Sequence, residues 1–410
     1  MKYRDYQLKI IKKGTNIVRE HGFVYLAMEV RTGKTLTSLG ICRDLGAKNV
    51  LFLTKKKAIG SINSDYEKLN LPYLNVFTIN YESMHKTPDY KWDVIVCDEA
   101  HSLGAFPKPN KRAKQVRDLI FKCRARVILL SGTPTPESYS QMYHQVYGIY
   151  NNPFRRFKNF YRFSDEYVRV IEKRINGLMI RDYSRGSERI IKHMTPYMIQ
   201  FSQKQAGFKT ETKEEVVLVD MREQTYQIAD ALKRHLVIDS GSQVILGDTP
   251  VKLMMKLHQI YSGTVKFESG DSMVLDYSKA KFIRKKFKGK KIGIFYKFKE
   301  ELNAIKEIWG DNITTKLDEF KTTEKDIALQ ILSGREGISL RHADCLVYYN
   351  IDFSATSYWQ SRDRMTTKER LKNKVYWVFS KGGIEGKIYK AVVKKKDYTV
   401  NHFKRDLVSL

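Results

Sequence analysis

The sequence predicts an α/β protein made of two parallel-sheet units in tandem. Short, unbroken apolar runs at Val50–Leu53, Leu74–Ile79, Val94–Cys97 and Val127–Leu130 alternate with helical or polar stretches, the pattern of parallel strands buried on both faces. The alternation resumes at Ile292–Phe295, Ile327–Leu332, Cys345–Tyr349 and Val375–Phe379. Length agrees, because 410 residues exceed one ordinary core and make two domains of about 200 the expectation.

An amphipathic helix, Leu8–Arg19, opens the chain with apolar positions 8, 10, 11, 17 and 18. Gln7 stands just before it, either as a reader of an adenine edge or as a polar surface residue. The apolar run Phe23–Met28 then enters a turn containing Gly33-Lys34-Thr35, and a helix-forming stretch, Leu36–Cys42, leaves it. Strand, turn and helix in this order grip a phosphate: backbone N–H groups face the anion, the Lys34 ammonium reaches the outer oxygens and the Thr35 hydroxyl ligates Mg²⁺. The first glycine of the usual phosphate-loop pattern is absent, its place being Met28.

Ligands of parallel sheets sit at the carboxyl ends of the strands. There Val94–Cys97 runs into Asp98-Glu99-Ala100-His101, and Val127–Leu130 into Ser131-Gly132-Thr133-Pro134-Thr135. Adjacent carboxylates at a strand end suit hydrolysis of Mg-ATP, with Asp98 holding the metal shell and Glu99 orienting or deprotonating water. The hydroxyls of the second turn suit sensing of the nucleotide.

Gly-Lys-Thr, Asp-Glu-Ala-His (a DEAH box) and Ser-Gly-Thr-Pro, in that order, resemble motifs I, II and III of the superfamily two helicases, and in detail those of the Swi/Snf-type ATPases. Leu26, Ala27, Glu29, Gly33, Lys34 and Thr35 match that family's first motif, in which the early glycine is normally missing, and Tyr6-Gln7 match its upstream glutamine motif. The resemblance implies two RecA-like domains with helical insertions and an ATP cleft between them. It also implies coupling roles for His101, Ser131 and Thr133. Val50–Thr54 and Phe77–Glu82 are similar to motifs beside the nucleic-acid track, which makes Thr54, Lys55 and Tyr81 candidate contacts.

Further along, Ile292–Tyr296 resembles motif IV and Ile331–Leu340 motif V, adding Lys297, Ser333 and Arg335 as nucleic-acid candidates and Gly337 as a coupling residue. Tyr358–Arg364 resembles motif VI, in which Gln360 and the first arginine, Arg364, fit. The second arginine position falls on Thr367. In the family this last arginine is the expected finger on the γ-phosphate, so Arg364 is the first choice here, with Arg362, Lys368 or Arg370 as substitutes, or slow turnover as the consequence. Gly383–Tyr389 resembles the closing helix.

The expected domains are 1–199, carrying a helical protrusion at 137–190, a connector at 200–215, and 216–410 with a helical insertion at 216–280. Tyr147, Tyr150, Phe154, Phe157 and Phe160 within the protrusion read as core aromatics, whereas Arg155, Arg156 and Lys158 fit phosphate contact and plain solvent exposure equally. His258, alone on an apolar helix, reads as a packed core residue, and Lys281–Lys291 as a solvated basic face, with contact to a nucleic-acid backbone as the alternative.

Lys and Arg number 74 against 45 Asp and Glu, a formal net charge of +29 that points to a polyanionic partner, nucleic acid above all. Cys42, Cys97, Cys123 and Cys345 lack the spacing of a zinc site or disulfide frame. No apolar run approaches the roughly 20 residues of a membrane span, and the N-terminus lacks an apolar signal core. The reading is therefore a monomeric cytoplasmic ATPase, bacterial or in a phage-infected host, that resembles the minimal phage members of the family. It uses ATP and Mg²⁺ to move on DNA, duplex favoured and single strands possible, in replication, recombination or repair. The alternatives are a basic nucleic-acid scaffold with weak ATPase and an RNA-directed helicase.

Overall fold

The computed structural model describes residues 2–175, 178–241, 243–334, 338–367 and 370–394. The chain forms two compact units, Met1–Phe208 and Lys209–Leu410. Among the described residues no helix is long and apolar enough to cross a membrane, and all four cysteines are buried.

In the first unit the elements are α1 (Asp5–His21), β1 (Phe23–Met28), α2 (Lys34–Asp44), β2 (Asn49–Thr54), α3 (Ile59–Leu69), β3 (Asn75–Asn80), β4 (Val94–Cys97), α4 (Lys111–Cys123) and β5 (Arg126–Leu130). They continue through α5 (Met142–Val146), α6 (Phe160–Tyr167), the hairpin β6–β7 (Ile171–Ile175, Leu178–Asp182), α7 (Arg189–Met194) and β8 (Met198–Phe201). The six-stranded sheet runs β3-β2-β4-β5-β1-β8 with every neighbour parallel. Successive side chains of a strand point to opposite faces. Phe23, Tyr25, Leu51, Leu53, Ile95, Val127 and Leu129 therefore pack one core, and Val24, Leu26, Val50, Phe52, Val94, Val96, Ile128 and Leu130 another. Two buried faces explain why these strands read as continuous apolar runs.

The 137–190 segment is not purely helical, because the antiparallel β6–β7 pair lies within it. Its aromatics are mostly core, as expected: Phe154, Phe160, Phe163 and Tyr167 pack with Tyr143. Tyr150, 80% exposed, and Tyr161, 43% exposed, are exceptions.

The second unit comprises β9 (Glu211–Val219), α8 (Glu223–His235), β10 (Val237–Asp239), β11 (Val244–Leu246), α9 (Pro250–Tyr261), β12 (Thr264–Lys266), β13 (Ser272–Val274), α10 (Ser278–Lys286), β14 (Ile292–Tyr296) and α11 (Lys299–Trp309). After these come β15 (Ile313–Thr314), α12 (Leu317–Thr322), β16 (Asp326–Gln330), α13 (Ile331–Gly334), β17 (Cys345–Tyr348), α14 (Ala355–Arg362), β18 (Lys372–Ser380) and α15 (Glu385–Val393). Its sheet, β15-β16-β14-β17-β18-β9, is again parallel throughout.

Residues 200–215 are largely structured. β8 includes Gln200 and Phe201 and pairs with β1, while β9 starts at Glu211 and pairs with β18 over nine residues. Val216–Val219 carries the apolar run expected of a strand, but the polar run Glu211–Glu215 hid the first half of this edge strand, since one flank faces water and Glu214 is held by hydrogen bonds in place of apolar packing. Its carboxylate accepts from Tyr358 Oη (2.8 Å), Arg362 Nη1 (2.9 Å) and Trp377 Nε1 (2.8 Å). The 216–280 region likewise holds two small hairpins, β10–β11 and β12–β13, besides its helices.

His258 is fully buried, its Nε2 2.5 Å from Asn350 Oδ1, and Asn350 Nδ2 donates to Glu301 Oε1 at 2.5 Å. Burial, with Lys297 nearby, holds this imidazole well below the ordinary histidine range.

His144 on α5 is the counterpart in the first unit. Its Nδ1 lies 2.6 Å from the Ala105 carbonyl, and burial lowers its pKa from 6.5 to about 4 against that hydrogen bond. Between those values the unfolded chain binds a proton that the folded site refuses, so stability falls as pH drops from 6.5 towards 4, by about 2 kcal/mol at pH 5. His144→Gln is expected to flatten this acid limb. Urea unfolding at pH 7 and pH 5 checks it, and an unchanged difference between the two pH values counts against the assignment.

Candidate nucleotide site

β1 delivers the chain into the loop Glu29–Gly33, and α2 begins at Lys34. The turn requires left-handed backbone at Arg31 (φ 64°) and Gly33 (φ 81°). Only glycine suits position 33 for a second reason, since a Cβ there would lie 2.3 Å from Gln7 Nε2. Gln7 is buried against the loop, accepting from Arg4 N (2.9 Å) and reaching the Gly33 carbonyl at 3.5 Å. Tyr6 Oη donates to the Thr32 carbonyl (3.1 Å) while its ring stacks on Phe201. The glutamine motif thus braces the phosphate loop from beneath. Lys34 Nζ donates to the carbonyls of Met28 (3.0 Å) and Glu29 (3.3 Å), which keeps the ammonium over the loop, and Thr35 lies half-buried in the first turn of α2.

The other strands of the sheet bring their ends to the same edge. Thr54 Oγ1, ending β2, donates to Asp98 Oδ2 at 2.8 Å, and Tyr81 Oη donates to the Asp98 carbonyl at 2.6 Å. Glu99 adopts a left-handed conformation (φ 49°, ψ 47°), which turns the chain sharply after β4. His101 Nδ1 lies 3.2 Å from Glu99 Oε2 and 3.0 Å from Ser131 Oγ, and Ser131 Oγ also accepts from Thr133 N at 3.1 Å. A chain of contacts therefore joins Glu99 on the β4 end to the Ser-Gly-Thr turn on the β5 end. The structure brings together Lys34, Thr35, Asp98, Glu99, His101, Ser131 and Thr133 at one carboxyl edge.

The two carboxyls are driven apart. Burial and the neighbouring Glu99 charge raise Asp98 to about 6, opposed by Thr54 and Lys34. Burial also works to raise Glu99, but the hydrogen bond and charge of His101, with Lys34 and Lys55, outweigh it and hold it low. Glu99 is thus ionised at neutral pH, as a group that accepts a proton or orients water must be.

Several nucleic-acid candidates are placed elsewhere. Thr54 and Tyr81 are 0% and 1% exposed and serve Asp98, so neither offers a surface to a polymer. The strand-end pattern that nominated them could not distinguish a side chain facing outward from one facing the next strand. Lys297 Nζ is ion-paired with Asp352 at 2.6 Å and lies over the Phe353 ring. Lys55 is half-buried, and Ser333 Oγ donates to the Gln330 carbonyl (3.2 Å). Arg335, Gly337 and Lys368 lie outside the described residues.

In the second unit, buried Arg364 donates from Nε to the Gln360 carbonyl (2.8 Å) and from Nη1 to that of Ile338 (3.4 Å), with Gln360 also buried. Arg362 pairs with Glu214 and lies over Trp359, and Arg370 donates to the carbonyls of Ala343 and Asp344, each at 2.7 Å. Thr367 accepts from Thr210 through its carbonyl at 3.0 Å.

These residues fit a magnesium-bound nucleoside triphosphate: a glycine turn filled by any Cβ, an ammonium over the loop, and an acid that a neighbouring hydroxyl steadies. The fully buried Thr133 hydroxyl oxygen adds a polar atom with no partner among the described residues.

No curated protein matches the chain. Two solved structures of the Sulfolobus solfataricus SWI2/SNF2 ATPase core, one in complex with dsDNA and one of the core domain, are similar to it at 15% identity and TM-scores of 0.43 and 0.40. Each covers 96% of this chain, which covers 91% and 89% of theirs. A family model of the SNF2-related domain matches residues 26–265, more than half the chain and all of the carboxyl-edge site. The chain belongs to the SNF2-related domain family and is, as a member, a nucleic-acid-stimulated ATPase.

Proposed function

We propose that this ATPase couples hydrolysis to movement along DNA, with duplex as the favoured track. What carries the reading is the convergence of the phosphate loop, the acidic pair and the His101–Ser131 contact at one sheet edge. Lys34 and the N–H groups opening α2 hold the phosphates. Thr35 and Asp98 are the residues that would hold Mg²⁺, which when bound would neutralise charge developing on the phosphates. Glu99 accepts the proton of the attacking water or orients it, and His101 carries the state of that carboxylate to Ser131 and Thr133. Arg364 is the proposed donor of positive charge at the γ-phosphate. It must exchange its carbonyl partners for phosphate oxygens to act.

A second reading, a nucleic-acid-binding protein with slow turnover, draws on the same region: Thr367 replaces an arginine, and Arg362, Arg364 and Arg370 are all bonded within their own unit. Steady-state ATPase measured without polymer and with duplex DNA, single-stranded DNA or RNA separates the readings. The motor predicts stimulation of tenfold or more, highest with duplex. Equal low rates throughout support slow turnover, and highest stimulation by RNA transfers the activity to an RNA track.

A further inference from the structure

The first unit carries a second basic feature away from the nucleotide edge. A groove of about 880 Å³ lies between α4 and the loop that joins α5 to α6. α4 leads back from the carboxyl edge of β4 to the start of β5, so Phe121 in its last turn lies towards the sheet edge opposite Asp98 and Glu99. The loop approaches α4 closely because Gly148 packs on it: a Cβ at Gly148 would stand 2.9 Å from Arg117 Cα.

The lining joins exposed rings to uncompensated cations. Phe121 is 60% and Tyr150 80% exposed, and both line this one groove. Arg117 is paired with Asp118 and Arg156 with Glu166, so those charges cancel locally. Among the described residues the Arg155 guanidinium bonds to the neutral Asn151 side chain, and neither Arg155 nor Lys158 has an ion pair.

We propose that this groove is a second nucleic-acid site for a single-stranded segment, its bases stacking on Tyr150 and Phe121 and its phosphates held by Arg155 and Lys158. Duplex keeps its bases stacked on one another and cannot use open rings, whereas unpaired bases can. An acidic peptide would satisfy the two cations and leave the rings in water. The volume lies within the range of small-molecule clefts, roughly 300–1,000 Å³.

The test uses the full chain and oligo-dT of about 15 nucleotides, plain and with 5-iodo-deoxyuridine for photocross-linking. Cross-links at Tyr150 or Phe121 are expected. Phe121→Ala/Tyr150→Ala, which alters exposed side chains only, is expected to weaken oligo-dT binding about tenfold or more and to keep duplex-stimulated ATPase within about twofold. Arg155→Gln/Lys158→Gln is expected to lower the salt slope by about 1.4, roughly 0.7 per lost phosphate contact. Cross-links mapping only elsewhere, an unchanged affinity in the aromatic variant, or an equal loss of binding to polyglutamate would each overturn the proposal. A parallel fall in ATPase would also overturn it by making the groove part of the motor track. Lys34→Ala, which probes the ATPase site, is expected to leave these cross-links in place, so the two readings fail separately.

Discussion

Glu99→Gln is expected to reduce nucleic-acid-stimulated ATP hydrolysis by about 10²–10⁴ while leaving nucleotide binding in place. The substitution keeps shape and hydrogen-bonding capacity beside His101, 3.2 Å away, and removes the negative charge. Glu99 is held ionised by His101, Lys34 and Lys55, so the charge removed is present at neutral pH. Lys34→Ala should abolish hydrolysis for a different reason, because the ammonium now over the Met28 and Glu29 carbonyls is the group that meets the phosphates. Single-turnover hydrolysis together with binding of a fluorescent nucleotide distinguishes them: Glu99→Gln binds and does not turn over, whereas Lys34→Ala binds weakly. Hydrolysis persisting in either variant would remove the site from this sheet edge.

Lys279→Met should produce the largest loss of stability in the second unit, about 3–5 kcal/mol. Lys279 on α10 and Glu385 on α15 are both fully buried, with Nζ 2.7 Å from Oε1. Lys279 also reaches the Tyr349 carbonyl at 3.4 Å, and Glu385 accepts from Ser380 Oγ at 3.2 Å. Removing the ammonium strands a carboxylate out of water with no countercharge beside it, left to the Ser380 hydroxyl and backbone N–H. Truncating both partners, as Lys279→Met/Glu385→Gln, removes the uncompensated charge and should recover part of the loss. Trp309, Trp359 and Trp377 belong to this unit and Trp92 to the other, so urea unfolding followed by tryptophan fluorescence reports mainly on the second unit. A shift under 1 kcal/mol would show that the pair carries little weight.

How far the sequence reached depended on whether the deciding interaction was local. Continuous apolar strands have a one-dimensional signature, so β1, β2, β4, β5 and β14 lie within a residue or two of their expected positions. β9 was legible only in its second half, the apolar Val216–Val219; its first half, Glu211–Glu215, is polar and held through Glu214, whose partners Arg362 and Trp377 lie 148 and 163 residues away. The catalytic candidates were legible for a related reason. Phosphate grip and metal ligation each need particular residue types at fixed short spacing, and strand-end logic places Lys34, Thr35, Asp98 and Glu99 on one edge without coordinates.

Side-chain direction was beyond that logic. Thr54 and Tyr81 stand at strand ends exactly where a polymer contact would be sought, yet both turn inward to Asp98. Lys297 is a basic residue after a strand, but its charge is consumed by Asp352. Among the aromatics near residue 150, only tertiary packing separated buried Phe154 from exposed Tyr150. By itself, then, the sequence determined the two parallel sheets, the phosphate loop and the acidic pair, because period-2 burial and short-range spacing are local properties. The tertiary structure alone decided which polar groups are spent on one another, including the Lys279–Glu385 pair and the Glu214 hub. Burial makes an unpaired charge costly, and the partner that relieves the cost lies anywhere along the chain.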